Sequence, residues 1–474
     1  QGFRQRAYDS FDPDATFSPV VHKNTLRLFL SVCAAENLSI YQADVKAAFL
    51  QAPLDEKIYL RAPPGYNSFD ETTGEEIIWE LSKAVYGLKQ SSACFWQAMQ
   101  DHLVANGFTS LLGDPCLFRK EMPGGGVILV VTYVDDCTFA VSQPTDHEYV
   151  MSMLRSRFVI DESEGAPVEW LLGMAIDQDL AKGTVRMNME TAVTKLALGL
   201  LSKEEIVKAS DVHYPMLATV TLEKLASKEV TTDEFDYLSV VGSLMHLANC
   251  VRCDVAYAVG CLARHTLNPG KAHVKACKRV VMYLYNTRTL GITYTRPSVG
   301  SDKNVPTIHE AAKHPLDDGQ NLLKTFADSD YAGDQTRRST YGIVTMLNGG
   351  PVMWTSTLGK TVATSTCEAE VNAAVAAVKE AIHLKRLLVD LRVAEDFSIK
   401  VMEDNSACIS QANSGLRHVR NAKHYEVKLR FLQQRVVDKE VEFEYCPTNR
   451  QLADFFTKPL DEVKFLGFRN LLMT

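Results

Sequence analysis

The stretch ILVVTYVDDCTFAVS, residues 128–142, places two adjacent carboxylates, Asp135 and Asp136, between two runs of strand-forming residues. Successive side chains of a strand point to opposite faces, so adjacent acids cannot both line one face of a regular strand. If residues 133–134 end one strand and Cys137 begins the next, the two acids occupy a two-residue turn. From a turn, both side chains could reach one site.

Like charges this close raise each other's pKa unless a cation neutralises them, and a divalent metal ion with oxygen ligands suits that role. A carboxylate pair alone holds Mg²⁺ poorly, so a third acid is expected from a neighbouring strand. Asp44 in YQADVKAAF ends a strand of alternating apolar residues and precedes a turn, and we predict that it is this third ligand. Two Mg²⁺ ions held in this way suit in-line phosphoryl transfer. For the DD pair considered alone, a solvated turn is the alternative.

The composition is typical of a soluble protein of roughly two to four domains. The chain has 474 residues, of which 46% are hydrophobic, and it starts at Gln1, so we expect a fragment or a processed product. No apolar run is long enough to span a membrane and no signal peptide opens the chain, so no membrane partner is predicted. Eleven irregularly spaced cysteines are typical of reduced thiols in an intracellular protein.

The net charge of −8 argues weakly against a nucleic-acid-binding protein, but the charges are unevenly distributed. Residues 264–296 contain seven Lys/Arg and no acid, and residues 417–435 contain six Lys/Arg with Glu426 as the single acid. Such stretches could follow a phosphate backbone, or they could be solvated helix faces.

Several motifs follow one another along the chain: QADVKAAFL, EKIYLRAPPGY, VYGLKQ, VTYVDD and LLGM. In order and spacing this set resembles the reverse transcriptase of copia/Ty1-type LTR retrotransposons. The resemblance places Asp44, Asp135 and Asp136 at the three metal-binding aspartate positions. It implies an RNA-directed DNA polymerase that uses Mg²⁺, with Mn²⁺ as a substitute.

The same resemblance suggests residues that contact the substrates. Phe49 falls where such polymerases keep an aromatic ring under the sugar of the incoming nucleotide, where it would clash with a 2′-OH; a buried core phenylalanine is the alternative. Gln90 in YGLKQ matches a position that contacts the incoming nucleotide. Leu172, Gly173 and Met174 resemble the tight turn that holds the primer end.

Residues 322–474 carry a second set of motifs, FADSDYAGD, STCEAEVNAAV, MEDNSACI and NRQLADFFTKPL. Their predicted elements follow a β-β-α-β-α order, which indicates an α/β domain. The motifs resemble the ribonuclease H domain attached to the same family of reverse transcriptases. The resemblance implies that Asp328, Glu370, Asp404 and Asp454 hold two Mg²⁺ ions; we expect Asp328 and Asp404 to end strands and Asp454 to start the last helical turn.

Helix geometry selects between two acids of the predicted helix 366–392. The apolar stripe of this helix consists of Ala374, Ala377, Val378, Ala381, Leu384 and Leu388. Glu370 lies one turn before this stripe on the same side, whereas Glu368 lies about 200° away at ~100° per residue. We therefore choose Glu370. Asp328 and Asp330 both fit the end of a strand, so the choice of Asp328 depends on the resemblance.

Together these features predict an α+β fold: a right-hand polymerase with fingers, palm and thumb, then a connection segment and an α/β ribonuclease H-like domain. The predicted domains are 1–188 (fingers and palm, with the fingers N-terminally truncated), 189–297 (thumb and connection), 298–321 (linker or surface loop) and 322–474 (ribonuclease H). Since the basic strand that normally precedes the fingers is absent, a homodimer contact or a partner subunit is expected to complete them.

The predicted partners are the RNA template, the DNA primer, the RNA–DNA hybrid and dNTPs. The basic residues predicted to contact nucleic acid are Lys275, Lys278, Arg279, Arg417, Arg420, Lys423 and His424. The expected location is the cytoplasm, within a virus-like particle, with the nucleus as the alternative.

Two alternatives remain open from the sequence. Cys250, Cys253, Cys261 and His265 have a C-x₂-C-x₇-C-x₃-H spacing that could bind zinc, although the surrounding residues favour an apolar helix pair. The chain could also be a domesticated or decayed element that binds RNA–DNA hybrids or serves as a structural subunit without catalysis. Retention of all seven predicted carboxylates argues against decay.

Overall fold

The computed structural model describes residues 5, 12, 16–161, 165–220, 222–226, 235–297, 323–416 and 423–474. The chain divides into two compact units. The first unit comprises Gln1–His22 and Leu38–Val168, and the second comprises Lys23–Asn37 and Glu169–Thr474. Within the described ranges, no helix has both the length and the apolar character needed to cross a membrane.

Two of the predictions fall outside the described residues. These are the linker at 298–321 and the nucleic-acid contacts assigned to Arg417 and Arg420. The bounds of the four predicted domains likewise remain predictions.

The first unit is built on a five-stranded antiparallel sheet with the order β1-β7-β6-β5-β4. Its strands are β1 (Ser39–Asp44), β4 (Thr109–Ser110), β5 (Leu117–Glu121), β6 (Val127–Tyr133) and β7 (Asp136–Val141), and a separate hairpin consists of β2 (Pro53–Arg61) and β3 (Ile78–Lys83). The central strand β6 is rich in β-branched residues and is buried along its interior, as expected for a strand covered on both faces.

Two helices complete the core of the first unit, α2 (Ser91–Ala105) and α3 (Pro144–Arg155). On α2, the buried residues Phe95, Met99 and Leu103 recur every fourth position and form the stripe that faces the sheet. The sequence pattern predicts an amphipathic helix over 89–108 that ends at Gly107, whereas α2 begins only after Gln90, which is its N-cap.

The second unit contains a four-stranded antiparallel sheet with the order β11-β10-β9-β8. Its strands are β8 (Trp170–Leu171), β9 (Met174–Asp179), β10 (Thr184–Asn188) and β11 (Gly291–Thr295). The accompanying helices are α1 (Lys23–Ala35), α4 (Glu190–Leu200), α5 (Lys203–Lys208), α6 (Tyr237–Cys250), α7 (Ala256–Ala263) and α8 (Lys271–Asn286).

Residues 189–209 have the pattern of one helix in the sequence, but the structure divides them into α4 and α5. Between α4 and α5, Ser202 forms a capping box with Glu205, which starts a new helix. Between α6 and α7, the fully buried Arg252 donates to both carboxylate oxygens of Asp254 at 2.9 and 2.6 Å. This ion pair needs a backbone path that leaves the helix, so residues 237–263 form two helices, α6 and α7.

A mixed five-stranded sheet with the order β14-β13-β12-β15-β16 forms the rest of the second unit. Its elements are β12 (Lys324–Asp330), β13 (Thr340–Leu347), β14 (Gly350–Leu358), α9 (Thr366–Asp390), β15 (Ile399–Glu403), α10 (Ser406–Ala412), α11 (Glu426–Val437), β16 (Val441–Tyr445) and α12 (Glu462–Leu472). Strands β12, β15 and β16 are parallel, and β12, β13 and β14 are antiparallel. The predicted α+β fold class is confirmed.

One predicted boundary in this sheet is wrong. Strand β12 continues to Asp330, so Asp328 lies inside the strand and not at its end. Pairing explains the difference, because β13 follows β12 up to the Asp330–Thr340 pair.

Candidate active sites

The first carboxylate site consists of Asp44, Asp135 and Asp136. Asp44 ends β1 and Asp136 begins β7, and the two residues are directly opposite each other in the antiparallel ladder. Directly paired residues point to the same face of a sheet, so these two carboxylates share a face. Asp135 lies in the turn between β6 and β7. Its backbone oxygen accepts a hydrogen bond from the backbone N–H of Val45 at 3.3 Å. The structure thus brings all three acids to one end of the β1-β7-β6 ladder.

The turn is displaced by one residue from the predicted position. Tyr133 pairs with Asp136, so the turn residues are Val134 and Asp135, and the prediction that both aspartates occupy the turn is wrong. Val134 has a φ of +56°, a left-handed conformation that is unusual for a β-branched residue. Such strain is often kept at functional sites, and the sequence offered no signal for it.

The carboxylates of the first site interact unequally. Burial, together with the charge of Asp135, raises the pKa of Asp44. Asp136 Oδ1 instead accepts a hydrogen bond from Gln42 Nε2 at 3.2 Å. Among the residues that the structure describes, the ligand oxygens of these three acids do not form a close group. A cation would have to draw them together.

The predicted nucleotide-binding residues lie in the same unit. Phe49 is half-buried in a 3₁₀ turn after β1, and its ring centre is 4.6 Å from that of the exposed Tyr86. Gln90 is buried; its Oε1 accepts from Gln5 at 2.9 Å and its Nε2 lies 3.4 Å from Glu56. Both side chains therefore have protein partners, and their contact with a nucleotide remains a prediction.

The predicted primer-holding turn is present in the second unit. Leu172 and Gly173 both have positive φ values, +49° and +80°, and connect β8 to β9 as a two-residue hairpin turn. Met174 is the first residue of β9 and is buried, whereas Gly173 is exposed and has open space beside it. Gly173 is therefore the exposed residue of this turn, and contact of the turn with a primer remains a prediction.

The second site contains a compact group that we call the carboxylate triad: Asp328, Glu370 and Asp404. One oxygen from each lies within 4.8 Å of the others, and no other such group of acidic, His or Cys side chains occurs among the described residues. The three acids come from different elements: β12, the first turn and a half of α9, and the residue after β15. A metal ion with oxygen ligands suits this donor set.

Helix α9 presents Glu370 and not Glu368 to the triad. Glu368 turns back to the start of the helix, where its Oε2 accepts from the backbone N–H of Thr364 at 2.6 Å. The same oxygen lies 3.2 Å from Nε2 of His424. The structure thus places the two glutamates on the sides that the apolar stripe indicated.

Burial dominates the electrostatics of the triad. It raises the pKa of Glu370 to about 10, with the neighbouring carboxylates of Glu403 and Asp328 adding to the rise. Burial likewise raises the pKa of Asp328 to about 7, against the opposing effect of Lys458. Buried oxygens of Glu370 and Glu403 have no hydrogen-bond partner among the described residues. Uncompensated buried carboxylates are costly, so the donor set fits a cation.

Glu403 is a further acid that sequence reasoning missed. It is the last residue of β15, is completely buried, and accepts a hydrogen bond from the backbone N–H of Asn405 at 3.1 Å. Burial raises its pKa well above the usual range. The alternation of buried Ile399, Val401 and Glu403 along β15 was the signal that could have located it.

Asp454, the fourth predicted ligand, lies near the triad but outside it. It belongs to a 3₁₀ turn over Leu452–Phe456 and is fully buried. Lys458 and Lys464 form ion pairs with its two oxygens. Lys458 also lies 3.9 Å from Asp328, which connects Asp454 to the triad.

The described basic residues that we expected to contact nucleic acid differ in their surroundings. On α8, Lys275 is exposed, whereas Lys278 pairs with Glu205 at 2.9 Å and the guanidinium of Arg279 lies 4.9 Å from the ring centre of Tyr214. Lys423 and His424 are exposed at the start of α11. Lys275 and Lys423 thus present exposed ammonium groups, whereas Nε2 of His424 lies 3.2 Å from Glu368.

The four residues with zinc-like spacing do not converge. The thiol of Cys250 lies 3.7 Å from His246, and Cys261 interacts with the hydroxyl of Tyr257. The ring of His265 packs 4.2 Å from that of His273. The spacing therefore reflects the packing of α6, α7 and α8.

Comparisons with known proteins agree with the motifs. A family model described as reverse transcriptase (RNA-dependent DNA polymerase) matches residues 1–218. The retrovirus-related Pol polyprotein from transposon TNT 1-94 of Nicotiana tabacum is 30% identical over 472 residues, covering 98% of this chain and 33% of that protein. The Pol polyprotein from transposon RE1 of Arabidopsis thaliana is 28% identical over 469 residues, covering 99% of this chain and 29% of that protein.

The chain thus spans about a third of the length of these relatives. Among solved structures, a foamy viral protease-reverse transcriptase in complex with RNA/DNA hybrid aligns with 96% of this chain and 48% of its own, at 13% identity and a TM-score of 0.45. Residues 1–218 thus form a reverse transcriptase domain, and the chain is similar along nearly all of its length to the Pol polyproteins of Ty1/copia-type retrotransposons.

Proposed function

We propose that the chain is an RNA-directed DNA polymerase that copies retrotransposon RNA into DNA, with a C-terminal ribonuclease H that cleaves the RNA strand of RNA–DNA hybrids. The observation that supports this most is the occurrence of two separate carboxylate sites, one in each compact unit. Each is assembled from acids on different elements, which a packing role does not require.

In the proposed polymerase site, Asp44, Asp135 and Asp136 would hold two Mg²⁺ ions near a primer 3′-OH and a dNTP. Bound Mg²⁺ would neutralise phosphate charge and favour the attacking form of the hydroxyl. The pairing of β1 with β7 fixes Asp44 opposite Asp136, and Gln42 orients Asp136. Such positioning is how a protein contributes most to phosphoryl transfer.

In the proposed ribonuclease H site, the carboxylate triad and Asp454 would hold the metal ions. Thr457 donates its hydroxyl to Asp328 Oδ2 at 2.6 Å, and Thr448 donates to Asp404 Oδ2 at 3.0 Å. These two hydroxyls restrict the rotation of their carboxylates and leave the other oxygens for a cation. RNA template, DNA primer, hybrid and dNTPs are the proposed partners, and a virus-like particle in the cytoplasm is the proposed location.

A primer-extension assay on an RNA template with Mg²⁺ tests the polymerase assignment. Asp135→Asn should reduce dNTP incorporation by at least about 100-fold, because it removes a metal ligand, and should leave hybrid cleavage intact. Asp101→Asn, an exposed position on α2, is the matched control. Extension by Asp135→Asn at the rate of the unsubstituted chain would show that the polymerase assignment is wrong.

A hybrid-cleavage assay tests the second site in the same way. Glu370→Gln should abolish RNA cleavage and preserve extension, while Glu368→Gln, two residues away on the other side of α9, should retain cleavage. If the unsubstituted chain shows neither extension nor cleavage, the alternative of a non-catalytic subunit that binds hybrids gains support.

A further inference from the structure

Asp454 is held differently from the carboxylate triad. Its side chain is fully buried, and both of its oxygens face lysines: Lys458 Nζ lies 2.6 Å from Oδ1, and Lys464 Nζ contacts Oδ2. Each oxygen of Asp454 therefore faces an ammonium, and Oδ1 has no hydrogen-bond partner among the described residues beside its ion pair with Lys458.

The charges around the second site are unevenly balanced. No Lys, Arg or His of the described chain forms an ion pair with Glu370 or Asp404, whereas Asp454 has two such partners. Lys458 also lies 3.9 Å from Asp328, so its ammonium stands between two carboxylates that the proposed function assigns to metal ions. The ammonium of Lys458 therefore neutralises the charges of Asp328 and Asp454, as a metal ion bound between these two carboxylates would.

We propose that Lys458 and Lys464 form a removable cationic clamp on Asp454, which keeps a second metal ion out of the site until nucleic acid is present. In the free protein, the carboxylate triad then takes one ion, and the Asp454 side of the site is occupied by lysine. The proposal deepens the proposed function, since it regulates metal binding at the same site.

Both lysines can leave Asp454 without unfolding their surroundings. Their side chains remain 37% and 27% exposed, so each ammonium has a direct path to solvent. Lysine carries its charge on a flexible stem and binds phosphate as a point charge. A phosphate of the bound strand is therefore the anion that draws the clamp away and opens Asp454 to the second ion.

The test counts metal ions on the full chain without nucleic acid, using Mn²⁺ as the probe and the electron paramagnetic resonance signal of free Mn²⁺ as the readout. The Lys458→Gln/Lys464→Gln variant should bind one more Mn²⁺ per chain than the unsubstituted protein, or bind its last ion at least about tenfold more tightly. Because only the difference between the two proteins counts, ions at the first carboxylate site cancel. Equal stoichiometry and affinity would overturn the clamp.

Two further variants locate the additional ion. Adding Asp454→Asn to the double variant should return the count to that of the unsubstituted protein, and an unchanged extra ion would overturn the assignment to Asp454. Lys400→Gln, which removes a lysine paired with Glu444 at 3.0 Å elsewhere on the same sheet, should leave the count unchanged. If the double variant does not fold, Lys464→Gln serves in its place. This single variant keeps Lys458 and should bind its last Mn²⁺ more tightly than the unsubstituted protein, by a smaller factor than the double variant. An unchanged affinity for Mn²⁺ would count against the clamp.

The outcome is independent of catalysis. A gain of one Mn²⁺ together with absent hybrid cleavage in the unsubstituted chain would retain the clamp and refute the proposed ribonuclease activity. Hybrid cleavage by the unsubstituted chain, together with equal Mn²⁺ binding by the unsubstituted chain and the double variant, would retain the ribonuclease activity and refute the clamp.

Discussion

The guanidinium of Arg27 lies 3.9 Å from the ring centre of Trp354, and both side chains are buried. Arg27 also donates to the backbone oxygens of Val352 at 2.8 Å, Asn249 at 2.8 Å and Cys250 at 3.1 Å. One side chain of α1 therefore connects α6 with β14 of the mixed sheet. Because α1 belongs to the second unit, this unit includes a helix from near the start of the chain.

Replacing Arg27 with Met should destabilise the second unit strongly. The methionine fills similar volume but leaves three backbone carbonyls without their donor and removes the stacking on Trp354. We expect a loss of about 3 kcal/mol in the free energy of unfolding, measured by urea denaturation. Arg386→Met on the exposed side of α9 should cost less than about 0.5 kcal/mol. Similar losses in both variants would contradict a special role for Arg27.

Binding of Mg²⁺ to the carboxylate triad should stabilise the protein measurably. Since the ion binds the folded state, a concentration 100-fold above its dissociation constant adds about 2.7 kcal/mol, which thermal unfolding in Mg²⁺ and in EDTA would detect. Asp328→Asn should remove most of this increase. Asp330→Asn should retain it, because Asp330 lies outside the triad. Loss of the increase in Asp330→Asn alone would reverse the choice between the two aspartates.

The Val134 turn should store strain that substitution can release. A β-branched residue with a φ of +56° has a strained backbone conformation. Asparagine tolerates this left-handed region with much less strain. Val134→Asn is expected to raise the free energy of unfolding by about 1 kcal/mol in urea denaturation. Val127→Asn, at the start of β6 and without positive φ, should lower it. If Val134→Asn instead lowers the free energy of unfolding, the packing of the Val134 side chain stabilises the protein more than its backbone strain destabilises it.

The sequence allowed the helix face of Glu370 to be predicted, because a long amphipathic helix has a clear period. The position of the Val134 turn could not be predicted in the same way, because alternation in a hairpin does not say which pair of residues turns; the pairing of Tyr133 with Asp136 shows that register. Glu403 could have been found from the alternation along β15. The contact of Lys464 with Asp454 could not, since it depends on how α12 packs after the chain folds, whereas Lys458 is only four residues from Asp454.

The packing of Arg27 on Trp354 was equally inaccessible to sequence reasoning. The two residues are far apart in the chain, and nothing in the pattern of α1 distinguishes its arginine from a solvated one. The buried position reverses the usual expectation for arginine, and burial lowers the pKa of Arg27 to about 10.

His265 should make the second unit less stable in acid. Burial lowers its pKa to about 4 in the folded protein, and the positive charges that His273 and Arg264 can carry add to this effect, against the opposing charge of Asp334. The unfolded chain has an ordinary histidine pKa of about 6.5 and so binds a proton first as the pH falls. The contribution to stability is therefore complete above about pH 6.5 and is lost progressively towards pH 4.

His265→Gln should flatten this part of the stability profile. Urea denaturation of both proteins between pH 7 and pH 4 should show a smaller decrease for the variant, and subtracting the two profiles removes the titration of other groups. The backbone N–H of Gly270 donates to His273 Nδ1 at 2.9 Å, which helps to hold this ring against that of His265 in the folded state. His213→Gln, at an exposed position, serves as the control. Parallel profiles for His265→Gln and the unsubstituted chain would exclude His265 as the acid-sensitive group.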